Sequence, residues 1–483
     1  MKGMKRIFSA LLAVLLFLAT ATTVLADNNG QITVNGATTG KTYDVYKIFD
    51  LTKSATGTNV SYTIDPDWVN FFIGAGAPGA AYLAQTATPG LNQLTHNGTT
   101  YYINITDSNI AAFAQAALAY AAAKPADDTK VATGTTVQFT GLPLGYYLVY
   151  PQGATDIGGS YGSICSLTST VPTATVNVKA TYPEIEKSVN DQDVEVGQTV
   201  TFTVTGKVPD TTGYASYKYE VKDTMSPGLT FNNTTANFSV KFGGTPISVA
   251  PSYASNGFTL SFDMVNYQQY KGQAITITYS AVVNKNAVVT LTKNSATLEY
   301  SNDPMGGTTT TPPVEKEVYT SKIVVDKYDA SAPSKKLPDA SFILVKKSGG
   351  VESFYKYDAA TDTVSWVSDM TQATVKKTDS QGALEFIGLS DGTYYLRETI
   401  APQGFNLLDH DVEVKITHTT TSGGGGTFGI GVSQKSEIPN KSGTTLPETG
   451  GIGTTLFYAV GGLLLVGTVT VFITRRKLRA ERK

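Results

Sequence analysis

The chain has 483 residues, 41% hydrophobic and only 16% charged, with 37 basic side chains against 39 acidic ones. That length suits about three domains of ordinary size, and the near-balanced charge offers no basic field to a nucleic acid. Three histidines (His96, His410, His418) and the single Cys165 leave no material for a zinc site or a disulfide framework. No metal and no cofactor is therefore expected.

At the N-terminus, Lys2, Lys5 and Arg6 precede the apolar run Ile7 to Leu18 and the small-residue site Val24-Leu25-Ala26. Residues 1–26 read as a secretory signal peptide, with the mature chain starting at Asp27. The first exported domain, 27–181, is mixed. Ser108 stands as a cap before an alanine-rich helix over 109–123, which Pro125 ends. The second domain, 182–303, carries the alternating runs 199–205 and 274–280, the pattern of half-buried strands. A Pro- and Gly-rich stretch from Ser301 to Val314 marks the next boundary. The third domain, 318–440, repeats the strand signal at 320–326 and 392–397. The expected fold is mainly β: tandem Ig-like sandwiches, the first with an added helix.

A short stalk and the pentapeptide Leu446-Pro447-Glu448-Thr449-Gly450 occupy 441–450. The uncharged apolar run 451–474 is long enough for a transmembrane helix. The basic tail 475–483 holds its end in the cytoplasm, so the body faces outward. Pentapeptide, span and basic tail together resemble the LPxTG sorting signal of Gram-positive surface proteins. The resemblance implies that a sortase cleaves between Thr449 and Gly450, holds Thr449 as an acyl-enzyme, and passes it to an amine.

In the third domain, Lys327 (IVVDKYDA), Glu398 (YYLRETIAPQGF) and Asn440 (EIPNK) resemble the reactive set of a CnaB-type isopeptide domain. In the second, Lys187 (PEIEKSVND), Asp223 (YEVKDTMSPGLTF) and Asn294 (KNSATLEY) resemble a CnaA-type module with Asp in the place of Glu. The resemblance implies Lys–Asn amides across each sandwich, from first strand to last, with Asp223 and Glu398 as the catalytic acids. Burial makes this chemistry reasonable: it favours a neutral, nucleophilic amine and a protonated carboxyl. The plainer alternative for each set is surface charge plus a turn asparagine. The first domain has no glutamate; Lys47 and Asn177 sit where a reactive pair would stand.

VYKIFDLT near the mature N-terminus, the three-domain order and LPETG resemble the backbone subunits of sortase-assembled pili. Such a subunit is a structural, non-enzymatic protein that polymerises with itself and supports adhesion. The resemblance implies class C and housekeeping sortases, peptidoglycan and ancillary pilins as partners, and a wall-anchored surface pilus as the location. No host surface receptor can be named. The family's linking lysine follows Tyr-Pro; here Tyr182-Pro183 precedes Glu184, so the expected acceptor is Lys179. The alternative is a monomeric wall-anchored adhesin or an ancillary pilin. Of the remaining residues, Cys165 reads as a buried free thiol and His410 and His418 as solvated side chains. Asp191-Gln192-Asp193 reads as a turn and Gly423 to Gly426 as a hairpin tip.

Overall fold

The computed structural model describes residues 28–53, 60–87, 90–121, 124–154, 163–167, 171–178, 180–212, 214–232, 237–303, 306–423, 426–443 and 452–480. The signal peptide, Lys179 and Leu446–Gly450 lie outside the described residues.

The N-terminal part builds three sheets, the largest of them around the long strand Thr42–Lys53. One face of that strand sends Tyr43 and Val45 into a core with Ile32, Val34, Phe139 and Tyr147. Alternation sends Tyr46 and Ile48 into a second core on the other face, and a register shift between Lys47 and Phe49 adds Phe49 to it. There the helix Ile110–Ala121 lays Phe113, Ala117 and Leu118 against Trp68, Phe71 and Phe72. Ser108 does not cap this helix. Its hydroxyl bonds that of Thr106 at 2.9 Å, and the first helical bond runs from the Ile110 amide to the Thr106 carbonyl at 2.9 Å.

The second sandwich sets a sheet containing Glu186–Val189, Thr199–Lys207 and Ala274–Val283 against one containing Lys218–Met225 and Thr292–Asp303. Alternation does the sorting. Val200, Phe202 and Val204 point inward from one sheet, Tyr219, Val221, Leu298 and Tyr300 from the other, into one core. The stretch 301–314 is not slack chain. Gly307–Thr310 and Val314–Val318 both pair with Thr292–Asp303. The prolines Pro312 and Pro313 fall between these two short strands, where no ladder amide is needed.

In the third sandwich, Ser321–Asp329 pairs antiparallel with Ala383–Leu389 and parallel with Ser433–Asn440. The facing sheet is built on Ser341–Ser348 and Gly392–Ile400. Ile323, Val325 and Ile438 meet Phe342, Leu344 and Leu396 between the two sheets. Gly423 and Gly426 close a hairpin between Thr419–Gly423 and Gly426–Ile430, as expected.

The sandwiches are joined by polar contacts. Lys41 Nζ donates to the Tyr300 hydroxyl at 2.7 Å, beneath the Tyr182 ring. Between the second and third, the Val364 amide donates to the Val196 carbonyl at 2.8 Å, and Glu195 accepts from Lys346 Nζ at 2.6 Å and Trp366 Nε1 at 2.9 Å. Gly388, at φ +75°, lets the two backbones touch, since a Cβ there would stand 2.7 Å from Val196. Asp193 accepts from the Asp391 amide at 2.8 Å, so the Asp191–Asp193 turn is part of this joint. His418 belongs to it too: it pairs with Asp391 at 2.7 Å and stacks on Tyr319, rather than standing solvated.

The apolar C-terminal run lies in the helix Ile452–Ala480, whose Leu463, Leu464, Leu465 and Phe472 are exposed. Among the described residues, no helix is long and apolar enough to cross a membrane.

Glu195→Ala leaves Trp366 Nε1 and Lys346 without their shared acceptor, on the order of 1–3 kcal/mol. The expected result is faster hydrogen exchange at the Val364 amide, by about tenfold for each 1.4 kcal/mol, with the cores of both sandwiches unchanged.

Candidate functional site

Two sites of the same composition lie inside the second and third sandwiches. In the second, Asp223 opposes Ala296 and Met225 opposes Asn294, so Asp223 and Asn294 are diagonal neighbours on one inward face. Lys187 comes from the facing sheet, paired with Val204. The Lys187 and Asp223 side chains are fully buried, and Asn294 is 0% exposed. Lys187 Nζ bonds Asp223 Oδ2 and donates to the Tyr279 hydroxyl at 2.5 Å. Tyr279 donates to Asp223 Oδ2 and accepts from Asn294 Nδ2 at 3.1 Å. Asp223 Oδ1 and Asn294 Oδ1 are buried with no hydrogen-bond partner among the described residues. An atom buried without a partner costs about 1–3 kcal/mol, and Tyr217, Tyr219 and Ser280 of the same sandwich each carry one as well.

In the third sandwich, Lys327 opposes Ile438 and Asp329 opposes Asn440 on parallel neighbouring strands. Alternation therefore puts Lys327 and Asn440 on one inward face of the same sheet. Glu398 arrives from the facing sheet, and all three are 5% exposed or less. Lys327 Nζ bonds Asn440 Oδ1 and lies 3.2 Å from Glu398 Oε1. Asn440 Nδ2 donates to Glu398 Oε1 at 3.1 Å and to Oε2 at 3.2 Å. The Leu408 amide, which no motif singles out, donates to Glu398 Oε2 at 2.9 Å.

Two expectations need correcting. A Lys327–Asn440 amide would join adjacent strands of one sheet, because the two strands run parallel, and would not cross the sandwich. Asn294 is not on the last strand of its sandwich; Gly307–Thr310 and Val314–Val318 follow it.

Burial sets the electrostatics. It pushes the Lys187 ammonium below its ordinary pKa and the Asp223 carboxyl above its own, each outweighing the attraction of the partner charge. Burial likewise lowers Lys327. Both shifts favour a neutral amine, whose lone pair can attack an amide carbon.

Lys47 is different. Burial works to lower it too, but the hydrogen bond and charge of Asp50 and the charges of Asp65 and Asp127 prevail, and its pKa is raised. Its ammonium sits 2.7 Å from Asp50 and 3.5 Å from Asp65. Asn177 is exposed on another sheet, accepting from Asn35 at 3.3 Å. The structure does not bring this pair together. Cys165 lies in the strand Ser163–Leu167.

Comparison with known proteins bears on the fold and on the C-terminal signal. Residues 321–423 match the SpaA family, described as a prealbumin-like fold domain, and 438–477 match the LPXTG cell wall anchor motif. The chain is 28% identical over 395 residues to the trypsin-resistant surface T6 protein of Streptococcus pyogenes serotype M6, covering 66% of this chain and 71% of that one. Over about two thirds of each sequence the chain is thus similar to a streptococcal surface protein. The solved T6 backbone pilin, of modular three-domain structure, shares the fold at 17% identity with a TM-score of 0.52, over 87% of this chain and all of that one. The full-length major pilin SpaD of Corynebacterium diphtheriae aligns at 19% identity and a TM-score of 0.49, over 87% of this chain and 99% of that one.

Asn294→Ala forbids a bond in the second sandwich and leaves the Lys187–Asp223 pair standing. Adding Asp223→Ala to that chain is expected to cost about 1–3 kcal/mol, the loss of a buried hydrogen bond. A cost of about 3–5 kcal/mol would instead report a stranded buried charge and contradict the neutral amine. The slowest-exchanging amides of the second sandwich give the measurement.

Proposed function

We propose that the chain is the structural subunit of a covalently polymerised pilus shaft on a Gram-positive cell wall. Two autocatalytic amides, Lys187–Asn294 and Lys327–Asn440, brace it. The observation that carries this reading is the recurrence, in two successive sandwiches, of a buried lysine in contact with a buried carboxyl and beside a buried asparagine.

The reaction needs nothing from outside. The neutral lysine Nζ attacks the asparagine Cγ, and the carbonyl electron pair moves to Oδ1. The acid protonates the departing Nδ2 and takes back a proton from Nζ. The Cγ–Nδ2 bond breaks, ammonia leaves, and an amide remains. Groups held in contact inside a packed core gain effective molarities of order 10⁵ M or more, which replaces an external catalyst.

Assembly uses the other end. A sortase resolves Thr449 onto an amine, a lysine of the next subunit while the shaft grows and peptidoglycan when it stops. A class C enzyme would take the first role and a housekeeping enzyme the second. We place the acceptor at Lys179, beside the boundary between the first two domains, 27–181 and 182–303. The match to the cell wall anchor motif over 438–477 supports a role for the run 451–474 in keeping the precursor at the membrane until cleavage. Ancillary pilins would join the same polymer.

Wall extracts separated under denaturing conditions test this. The native chain should give a high-mass ladder. Thr449→Ala should abolish both ladder and wall attachment, whereas Lys179→Arg should abolish the ladder alone, because guanidinium is no nucleophile at neutral pH. A single heavy species from the native chain would mean a monomeric surface protein.

Stretching single molecules reads the amides directly. Force through the second sandwich passes the Lys187–Asn294 link, leaving only the chain from Asn294 to Val318 free to peel, at about 3.5 Å per residue. The third sandwich, closed at Asn440, should barely extend. Asn440→Ala should restore full unfolding of the third sandwich and leave the second unchanged.

A further inference from the structure

Resting on the bond-forming reading above, we propose that Tyr279 is a catalytic residue of the Lys187–Asn294 site, its hydroxyl carrying the proton from Asp223 to the departing Asn294 nitrogen.

The case starts from a difference between the two sites. In the third sandwich, Asn440 Nδ2 donates directly to both oxygens of Glu398, at 3.1 and 3.2 Å. The leaving nitrogen and its acid are in contact. In the second, the acid is an aspartate, one methylene shorter; Asn294 is near enough to weigh on Asp223, but the hydrogen bond that its Nδ2 makes at 3.1 Å goes to the Tyr279 hydroxyl. That hydroxyl in turn donates to Asp223 Oδ2 and accepts from Lys187 Nζ at 2.5 Å. One phenol oxygen therefore touches the attacking nitrogen, the departing nitrogen and the acid. Near Lys327 the aromatic ring is Phe342, which comes from the facing sheet and has no hydroxyl.

Tyr279 is held for this task. It sits on Ala274–Val283 opposite Phe202, 1% exposed, with its ring packed against Phe202, Phe238 and Phe258. Burial, with the Asp223 charge beside it, raises its pKa well above the ordinary phenol value, so the hydroxyl keeps a proton to relay.

The step balances. Lys187 Nζ, having passed one proton to Asp223, adds to Asn294 Cγ. The Tyr279 proton moves to Nδ2 as that nitrogen becomes tetrahedral and basic, and the Asp223 proton replaces it on the phenol. Nζ returns its surplus proton to Asp223, the Cγ–Nδ2 bond breaks, and ammonia departs. Tyr279 ends as it began.

The test follows both bonds in one molecule. The full chain is made by cell-free synthesis, sampled over time and digested, and the cross-linked Lys187–Asn294 and Lys327–Asn440 peptides are quantified by mass spectrometry. Tyr279→Phe should slow the first bond by at least tenfold and leave the second unchanged. Asp223→Glu in the Tyr279→Phe chain should restore most of the rate, since the longer acid reaches Nδ2 as Glu398 does. Absence of the Lys187–Asn294 peptide from the unmutated chain would sink the bond-forming reading itself. A Tyr279→Phe rate equal to the unmutated one overturns the role of tyrosine alone. A slow Tyr279→Phe chain that Asp223→Glu does not restore overturns the relay and leaves the ring a packing role.

Discussion

A lysine nitrogen fully removed from water is the constraint from which the rest of this structure follows. Moving an isolated ammonium into a protein interior costs several kcal/mol even after relaxation, so the group must lose its charge or find a partner. Lys187 and Lys327 do both, shifting toward the neutral amine while touching a carboxyl. On the proposed reading a neutral amine beside an amide is a reactant, and the amide formed would remove the buried titratable nitrogen altogether. The core that is awkward before reaction becomes an ordinary core after it. Lys47 shows the other outcome: three aspartates keep its charge, and it stays an ion.

The same three functional groups meet through two different strand geometries. In the second sandwich the lysine lies on one sheet and Asp223 and Asn294 on the other, so the link ties two sheets. In the third, the lysine and asparagine share a sheet as parallel neighbours, and only the acid comes across. What is kept is contact inside a packed, water-free interior, where fixed groups need no reorganisation to react. The strand framework around that contact is free to differ.

The reactive residues are legible because each lies in an alternating run whose period fixes which side chains turn inward. Val324, Asp326 and Tyr328 are half-buried while Ile323, Val325 and Lys327 are buried, so a lysine in phase with Ile and Val is already out of place for a charge. Tyr279 obeys the same rule in Ala274–Val283, yet an inward tyrosine in a β-sandwich is ordinary, and nothing local marks its hydroxyl as shared. Partners far along the chain were not legible. Asp65 and Asp127 reach Lys47 from separate turns, and His418 finds Asp391 across a joint. The Pro- and Gly-rich stretch before Val314 read as a boundary because composition cannot distinguish a linker from two short strands with prolines between them. The N-terminal helix starts within a residue of the position its sequence implies, but Ser108 bonds Thr106 rather than the helix amides, a local competition that serine often wins.

Bracing the interiors moves mechanical weakness to the seams. An amide inside a sandwich does nothing for the contacts at Lys41 or Glu195, which are hydrogen bonds and ion pairs at partly exposed positions. Such contacts are individually worth about 1 kcal/mol. The seam between the second and third sandwiches answers this with backbone rather than charge: Val196 both donates to Gly388 and accepts from Val364, so a short piece of one sandwich is stitched into the other. The positive φ of Gly388 is what allows that approach. A chain braced as proposed would be stiff within its sandwiches and yield first between them.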